Sequence, residues 1–484
     1  MQISRHYASL PERFSSALAS RPFRNPQLVA LNEPLATRLG LDTHWLRQKD
    51  GLAFLSQGQR PDGAPPVAMA YAGHQFGHFV PSLGDGRAML VGELTDRQGK
   101  VWDLHLKGSG PTPFSRRGDG HAALGPVLRE YLVSEAMAAL DIPTTRALAA
   151  LTTGENVIRE TLMPGGVIAR VASTHVRVGT FQFFAARQDR EGLTLLVDHV
   201  IERLYPELAD SPNRALALLN AVVDRQARLI AQWMLVGFIH GVMNTDNMSI
   251  AGETIDFGPC AFLDNYDPGK VFSFIDQNGR YAYGQQPDMA LWNLGRLAEA
   301  LLPCIDADTD QAVNLATDTL SRFDSIFGEA YLSGWRRKLG LFSEGRTDTT
   351  LISRLLTIMH RDEADFTLTF RHLNTVARTD DATGFLAQFK DREAATSWLQ
   401  SWKERLDTED QTADARFALM QASNPRIIPR NHRIEAAIKA ALTGDYTLFH
   451  QLAAALARPF EDADDGLDLP PASNEHVRNT FCGT

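Results

Sequence analysis

Apolar and polar residues alternate along Lys100 to Lys107, which places Trp102, Leu104 and Leu106 on one face of a strand and Asp103, His105 and Lys107 on the other. Ala88 to Leu94 reads as its partner strand, joined to it by Asp96-Arg-Gln-Gly99. Two further strands, Asn156 to Leu162 and Val167 to Ala172, are predicted on either side of a turn at Pro164-Gly-Gly166. Helical spacing appears in Glu33 to Gly40, with Gly40 as its C-cap, and in Pro126 to Leu140, where Val127, Leu128, Tyr131, Leu132 and Met137 share a side. After Asn213 the pattern changes. Arg214 to Ile239 is a long apolar helix, and from Met289 to about Leu456 nearly everything is amphipathic helix. The pattern predicts an α+β protein with a strand-containing front part (residues 1–180), a helical rear part (181–457) and a loose acidic tail (458–484).

The chain has 484 residues, 44% of them hydrophobic, which is ordinary for a globular protein. Its net charge of −10 argues against nucleic acid as a partner, since such binding needs a basic face. No apolar run approaches the ~20 residues of a membrane span. Cys260, Cys304 and Cys482 are too few and too scattered for a disulfide framework or a zinc site. Arg5, Arg13, Arg21 and Arg24 make the first segment basic, but it runs without a linker into Leu28-Val-Ala-Leu-Asn32. It reads as part of the domain rather than a presequence, so the chain is expected to be cytoplasmic.

The densest chemistry lies between Gly237 and Gly258. Asp246-Asn247 is followed nine positions later by Asp256-Phe257-Gly258. That is the layout of a kinase metal site, in which the Asn amide oxygen and the Asp carboxylate hold Mg²⁺ against nucleotide phosphates. The base is displaced, however. Aligning His240 and Asn247 with the kinase catalytic loop puts Val242 where an Asp belongs, and the nearby carboxylate is Asp246.

Upstream, Gly84 and Gly86 precede an apolar strand, a pattern shared by a hairpin turn and a phosphate cradle; Arg87, which follows at once, and Lys107, one hairpin away, favour the cradle. Lys107 ends its strand on the polar face, the place of either a phosphate-binding Lys or a solvated one. The loop Gly108 to Gly120 is too polar and Gly-rich for core, and offers Arg116, Arg117 and Asp119 to a ligand. Glu130 and Glu135 lie roughly 140° apart around their helix, so one of them can face Lys107. Glu130 is chosen because it starts the turn nearest the loop. Arg170 sits in an apolar strand and needs a partner, either a structural carboxylate or a bound phosphate, and Arg177 follows seven residues later. His74 and His78 are four apart, but Gly73 and Gly77 disfavour a helix there, and both are read as structural.

Tyr71-Ala-Gly-His-Gln-Phe-Gly77, Leu83-Gly-Asp-Gly-Arg87, Leu106 to Gly120, His240 to Met248 and Asn424-Pro-Arg to Arg430-Asn431 together resemble the selenoprotein O family over most of the chain. The resemblance implies a protein-kinase-like, two-lobed fold and transfer of AMP from ATP to hydroxyl side chains of proteins, with UMP from UTP as the alternative nucleotide. It implies that ATP lies flipped relative to a kinase, with its γ-phosphate among Lys107, Arg170 and Arg177. Gly84, Gly86, Arg87, Asp119 and Gly120 would complete the cradle, and Glu130 would orient Lys107. Asn247 and Asp256 would bind Mg²⁺ or Mn²⁺, and Asp246 would accept the proton of the incoming hydroxyl. Cys482 stands where eukaryotic members carry selenocysteine, and Cys260 is the candidate disulfide partner in a redox control; a buried Cys260 and a free Cys482 are the alternative. The expected enzyme is a monomer with protein substrates. Competing readings are a kinase with a displaced base and an inactive nucleotide-binding scaffold.

Overall fold

The computed structural model describes residues 3–19, 21–463 and 465–480. Its front part is built on an antiparallel sheet. The strands used below are β1 (Ser15–Ala17), β2 (Gln27–Leu31), β3 (Val67–Met69), β4 (Ala88–Thr95), β5 (Val101–Lys107), β6 (Arg146–Ile158) and β7 (Leu162–Ala172). They run in the spatial order β1-β3-β4-β5-β7-β6-β2, with Ile3–Ser4 added to β4 and Ala122–Ala123 to β7. Alternation on β5 and β7 divides the packing. Leu104, Leu106, Val167, Ala169 and Val171 face a small core filled by Leu35, Leu39, Leu46, Phe54 and Leu55 from three short helices. The opposite face joins the main core, against helix α1 (Leu124–Ala139). Each fully buried Leu or Phe contributes about 1.5–3 kcal/mol, so the sheet is fixed from both sides.

The predicted strand pair Asn156 to Leu162 and Val167 to Ala172 needs correction. β6 begins ten residues earlier, at Arg146, and the turn falls at Arg159–Thr161, where Arg159 N–H donates to Thr161 O at 3.0 Å. Ala147 to Leu151 are all buried, so this stretch has no polar face and no period to reveal it. Pro164, Gly165 and Gly166 lie inside β7. The glycines serve close packing there: a Cβ on Gly165 would meet Thr153 Oγ1 at 2.6 Å, and one on Gly166 would meet Leu124 Cα at 3.1 Å. Glu33–Arg38 is helical as expected, with Asn32 capping its start and Gly40 in the left-handed conformation at its end.

The rear part is helical, organised on α2 (Val178–Ala185), α3 (Arg214–Val236) and α4 (Gln286–Ile305). α3 stops three residues before the predicted end. Gly237, at φ +73°, closes it, and Phe238–Ile239 then pairs with Ala261–Phe262 as a small ribbon around the Asp246 and Asp256 segments. The segment after Arg458, expected to be loose, has no helix or extended strand among its described residues but is tied down. Arg371 pairs with Asp462 and Arg426 with Asp465, while Arg433 donates to Gly466 O and Arg430 to Asp468 O. Thr480 is buried, and its hydroxyl donates to Pro259 O. Cys482 and the redox reading attached to it lie outside the described residues.

Candidate active site

β5 carries Asp103, His105 and Lys107 on its polar face, and the register of β7 sets Arg170 opposite His105. Lys107 Nζ donates to Glu130 Oε2 at 2.8 Å and to Asp256 Oδ1 at 2.9 Å. Arg170 Nη1 donates to the same Asp256 oxygen at 2.8 Å and lies 3.3 Å from Glu130 Oε1. Arg177, the N-cap of α2, brings Nη1 to 3.3 Å from Asp256 Oδ2 and donates to Asp246 O at 3.0 Å. Its guanidinium lies over the Tyr71 ring, 4.5 Å from the centroid. Five of the predicted residues therefore meet: Lys107, Glu130, Arg170, Arg177 and Asp256. Glu135 takes another role, accepting from Arg146 and Asn32.

The two aspartates of the site experience opposite fields. Burial alone would raise the Asp256 carboxyl, but Lys107, Arg170 and Arg177 hold it well below the ordinary range. Burial pushes Asp246 up to about 6 against the pull of Arg177. Asp256 also sits at φ +61°, a left-handed conformation that costs energy for a residue with a Cβ. Asn247 spends its amide N–H on Val242 O at 3.0 Å, which turns its oxygen away from that bond. The donors offered to a metal are thus an amide oxygen and a carboxylate. Both are hard, and no group of three or more His, Cys, Asp or Glu side chains suited to a metal occurs among the described residues. Such a pair fits a divalent ion that takes its remaining ligands from water and phosphate.

Sequence reasoning missed two residues behind Arg170. Arg170 Nη2 lies 3.1 Å from His105 Nδ1, and His105 Nε2 lies 3.1 Å from Asp85 Oδ2. A guanidinium can only donate, so Nδ1 accepts and Nε2 carries the proton it gives to Asp85. Burial lowers the pKa of His105, in keeping with this neutral tautomer. The available signal was strand parity: His105 shares its face with Lys107.

The phosphate-loop residues are arranged differently from the cluster. Asp119 is exposed and paired with Arg159 at 2.8 and 3.2 Å, so in this state it serves the loop and not the Lys107 group. Gly120 closes the loop on itself by accepting from Gly110 N–H at 3.1 Å. Gly84 and Gly86 lie beneath Phe114, and a Cβ on Gly84 would fall 2.2 Å from its ring. Their N–H groups donate to Tyr71 O and Gly84 O. Arg87 is half-buried beside them, and its carbonyl accepts from Gly108 N–H. Arg116 and Arg117 are exposed. His74 and His78 lie in the hairpin Gly73–Gln75 and His78–Val80, with His74 bonded to Gln182.

Residues 1–457 match the family model described as protein adenylyltransferase SelO. The chain is also similar to curated proteins named protein nucleotidyltransferase YdiU. It is 56% identical to that of Bradyrhizobium diazoefficiens over 481 residues, 99% of this chain and 98% of the relative. It is 56% identical to that of Rhizobium etli over 482 residues, 99% of this chain and 96% of the relative.

Proposed function

This chain belongs to the protein adenylyltransferase SelO family, and from that premise we propose that it transfers AMP from ATP, or UMP from UTP, to hydroxyl side chains of proteins. The observation that carries this reading is the convergence of Lys107, Arg170 and Arg177 on Asp256. Two buried guanidiniums, Arg170 and Arg177, and the half-buried Lys107 exceed what a kinase places on a transferred phosphate and suit a departing pyrophosphate. In the reaction the acceptor oxygen bonds to the α-phosphorus, and the bond from that phosphorus to the bridging oxygen breaks. Pyrophosphate leaves into the cationic cluster, and Asp246 takes the hydroxyl proton. Glu130 keeps Lys107 aimed, as the 2.8 Å bond already does. His105 and Asp85 keep Arg170 aimed. Gly84, Gly86, Arg87, Asp119 and Gly120 are assigned to the phosphate cradle, which requires Asp119 to leave Arg159.

Asn247 and Asp256 would hold Mg²⁺ or Mn²⁺, which supplies charge neutralisation at the phosphates. Asp256 would then exchange part of its cation pairing for the metal. The acting unit is proposed to be the single chain. The proposed setting is cytoplasmic, a reducing compartment in keeping with the free thiol of Cys304. The division into an N-lobe at 1–180, a C-lobe at 181–457 and a tail is kept as part of the proposal.

An acceptor protein incubated with ATP, metal and this enzyme is expected to gain the mass of one adenylyl group as pyrophosphate appears. Asp256→Ala is expected to abolish that gain. A phosphoryl gain with ADP, or full activity in Asp256→Ala, contradicts the reading.

A further inference from the structure

The hairpin Gly73–Gln75 and His78–Val80 lies on the loop that carries Asp246 and touches three consecutive residues of it. Phe76 N–H donates to Asn244 Oδ1 at 3.0 Å, and His74 N–H to Thr245 Oγ1 at 2.7 Å. Gln75 Nε2 donates to Asp246 Oδ2 at 3.3 Å. The contact is braced from both sides. Thr245 Oγ1 donates to Gln182 Oε1 at 2.6 Å, Gln182 Nε2 lies 2.8 Å from His74 Nδ1, and the Tyr281 hydroxyl donates to Asn244 Oδ1 at 2.8 Å. Gly73 permits the approach, because a Cβ there would lie 2.6 Å from Asp246 Oδ1.

Asp246 is buried, and its Oδ1 has no hydrogen-bond partner. The carboxylate torsion of an Asp is broad and roughly two-fold, so a directional hydrogen bond can select its orientation. Such a bond comes from Gln75. We infer that Gln75 is a positioning residue for nucleotidyl transfer, holding the Asp246 carboxylate in the orientation that receives the acceptor's proton. The inference rests on Asp246 being that proton acceptor.

Gln75→Met keeps the length of the side chain and removes the donor. It is expected to lower kcat for transfer about 10- to 100-fold, the scale of a misplaced catalytic group, with KM for ATP unchanged within about twofold. In an Asp246→Asn background the same change is expected to have no further effect on the residual rate. Gly73→Ala, which intrudes on the same carboxylate, is expected to act like Gln75→Met. Wild-type kcat in Gln75→Met alongside a slow Asp246→Asn overturns the inference and leaves the base assignment standing. An equal loss in ATP affinity, or a loss that persists in the Asp246→Asn background, also overturns it. Wild-type kcat in Asp246→Asn removes the base assignment and the inference with it.

Discussion

Asp246 is buried and Asp256 half-buried, yet the first carboxyl is raised by burial and the second is lowered by three cations. Such divergence suits the roles proposed for the two, a proton acceptor at Asp246 and a permanent anion at Asp256. It also has a cost in stability. With Asp246 raised from 3.8 to about 6, the folded protein keeps a proton between those values that the unfolded chain has released. Stability therefore falls as pH rises through that window, by up to about 3 kcal/mol in the protein free of metal and nucleotide. Asp246→Asn is expected to raise Tm at pH 7 and to leave it unchanged below about pH 4, while slowing transfer by about 10²- to 10⁴-fold. Equal Tm shifts at both pH values would contradict this account of the residue. Asp256 acts in the opposite sense: its pairing stabilises above the unfolded carboxylate range and is lost as acid protonates it.

At the scale of elements, strand alternation made the Lys107 face legible, and the helix period made α1 legible. β6 was half missed because Ala147 to Leu151 are buried and uniformly apolar, so no periodicity marks them. Gly165 and Gly166 resembled a turn because turns and close approaches both select glycine. Here Gly166 lets β7 reach the first turn of α1, the helix that presents Glu130 to Lys107. Gly166→Ala is expected to destabilise the protein by about 1–3 kcal/mol in chemical denaturation, since backbone must shift to admit the methyl group. It is also expected to raise KM for ATP by moving Glu130. A variant with wild-type stability would contradict that role for the glycine.

At the scale of the molecule, the pattern conveyed the α+β order, but the fastening of the tail was not legible. Arg430 is buried between Asp264 at 2.5 Å and Asp365 at 2.9 Å and also donates to Asp468 O at 3.0 Å. These partners are far apart in sequence, and the tail has no period that would reveal them. The motif around Asn424 and Arg430 was visible; what it holds was not. Arg430→Ala leaves two carboxylates without their cation and is expected to cost about 3–5 kcal/mol in denaturant titration. The core of the candidate site was legible because motif and strand parity converge on Lys107 and Asp256. The Asp119–Arg159 pair was not, because it joins two loops whose approach no local pattern encodes.

The central claim is that the cations gathered on Asp256 serve a departing pyrophosphate. It is tested most directly by supplying ATP labelled at either the α or the γ phosphorus and following the label into an acceptor protein. The account predicts retention from the α position alone, with the γ label leaving as pyrophosphate. Retention from the γ position alone would make the chain a phosphotransferase and contradict the role given to Lys107, Arg170 and Arg177.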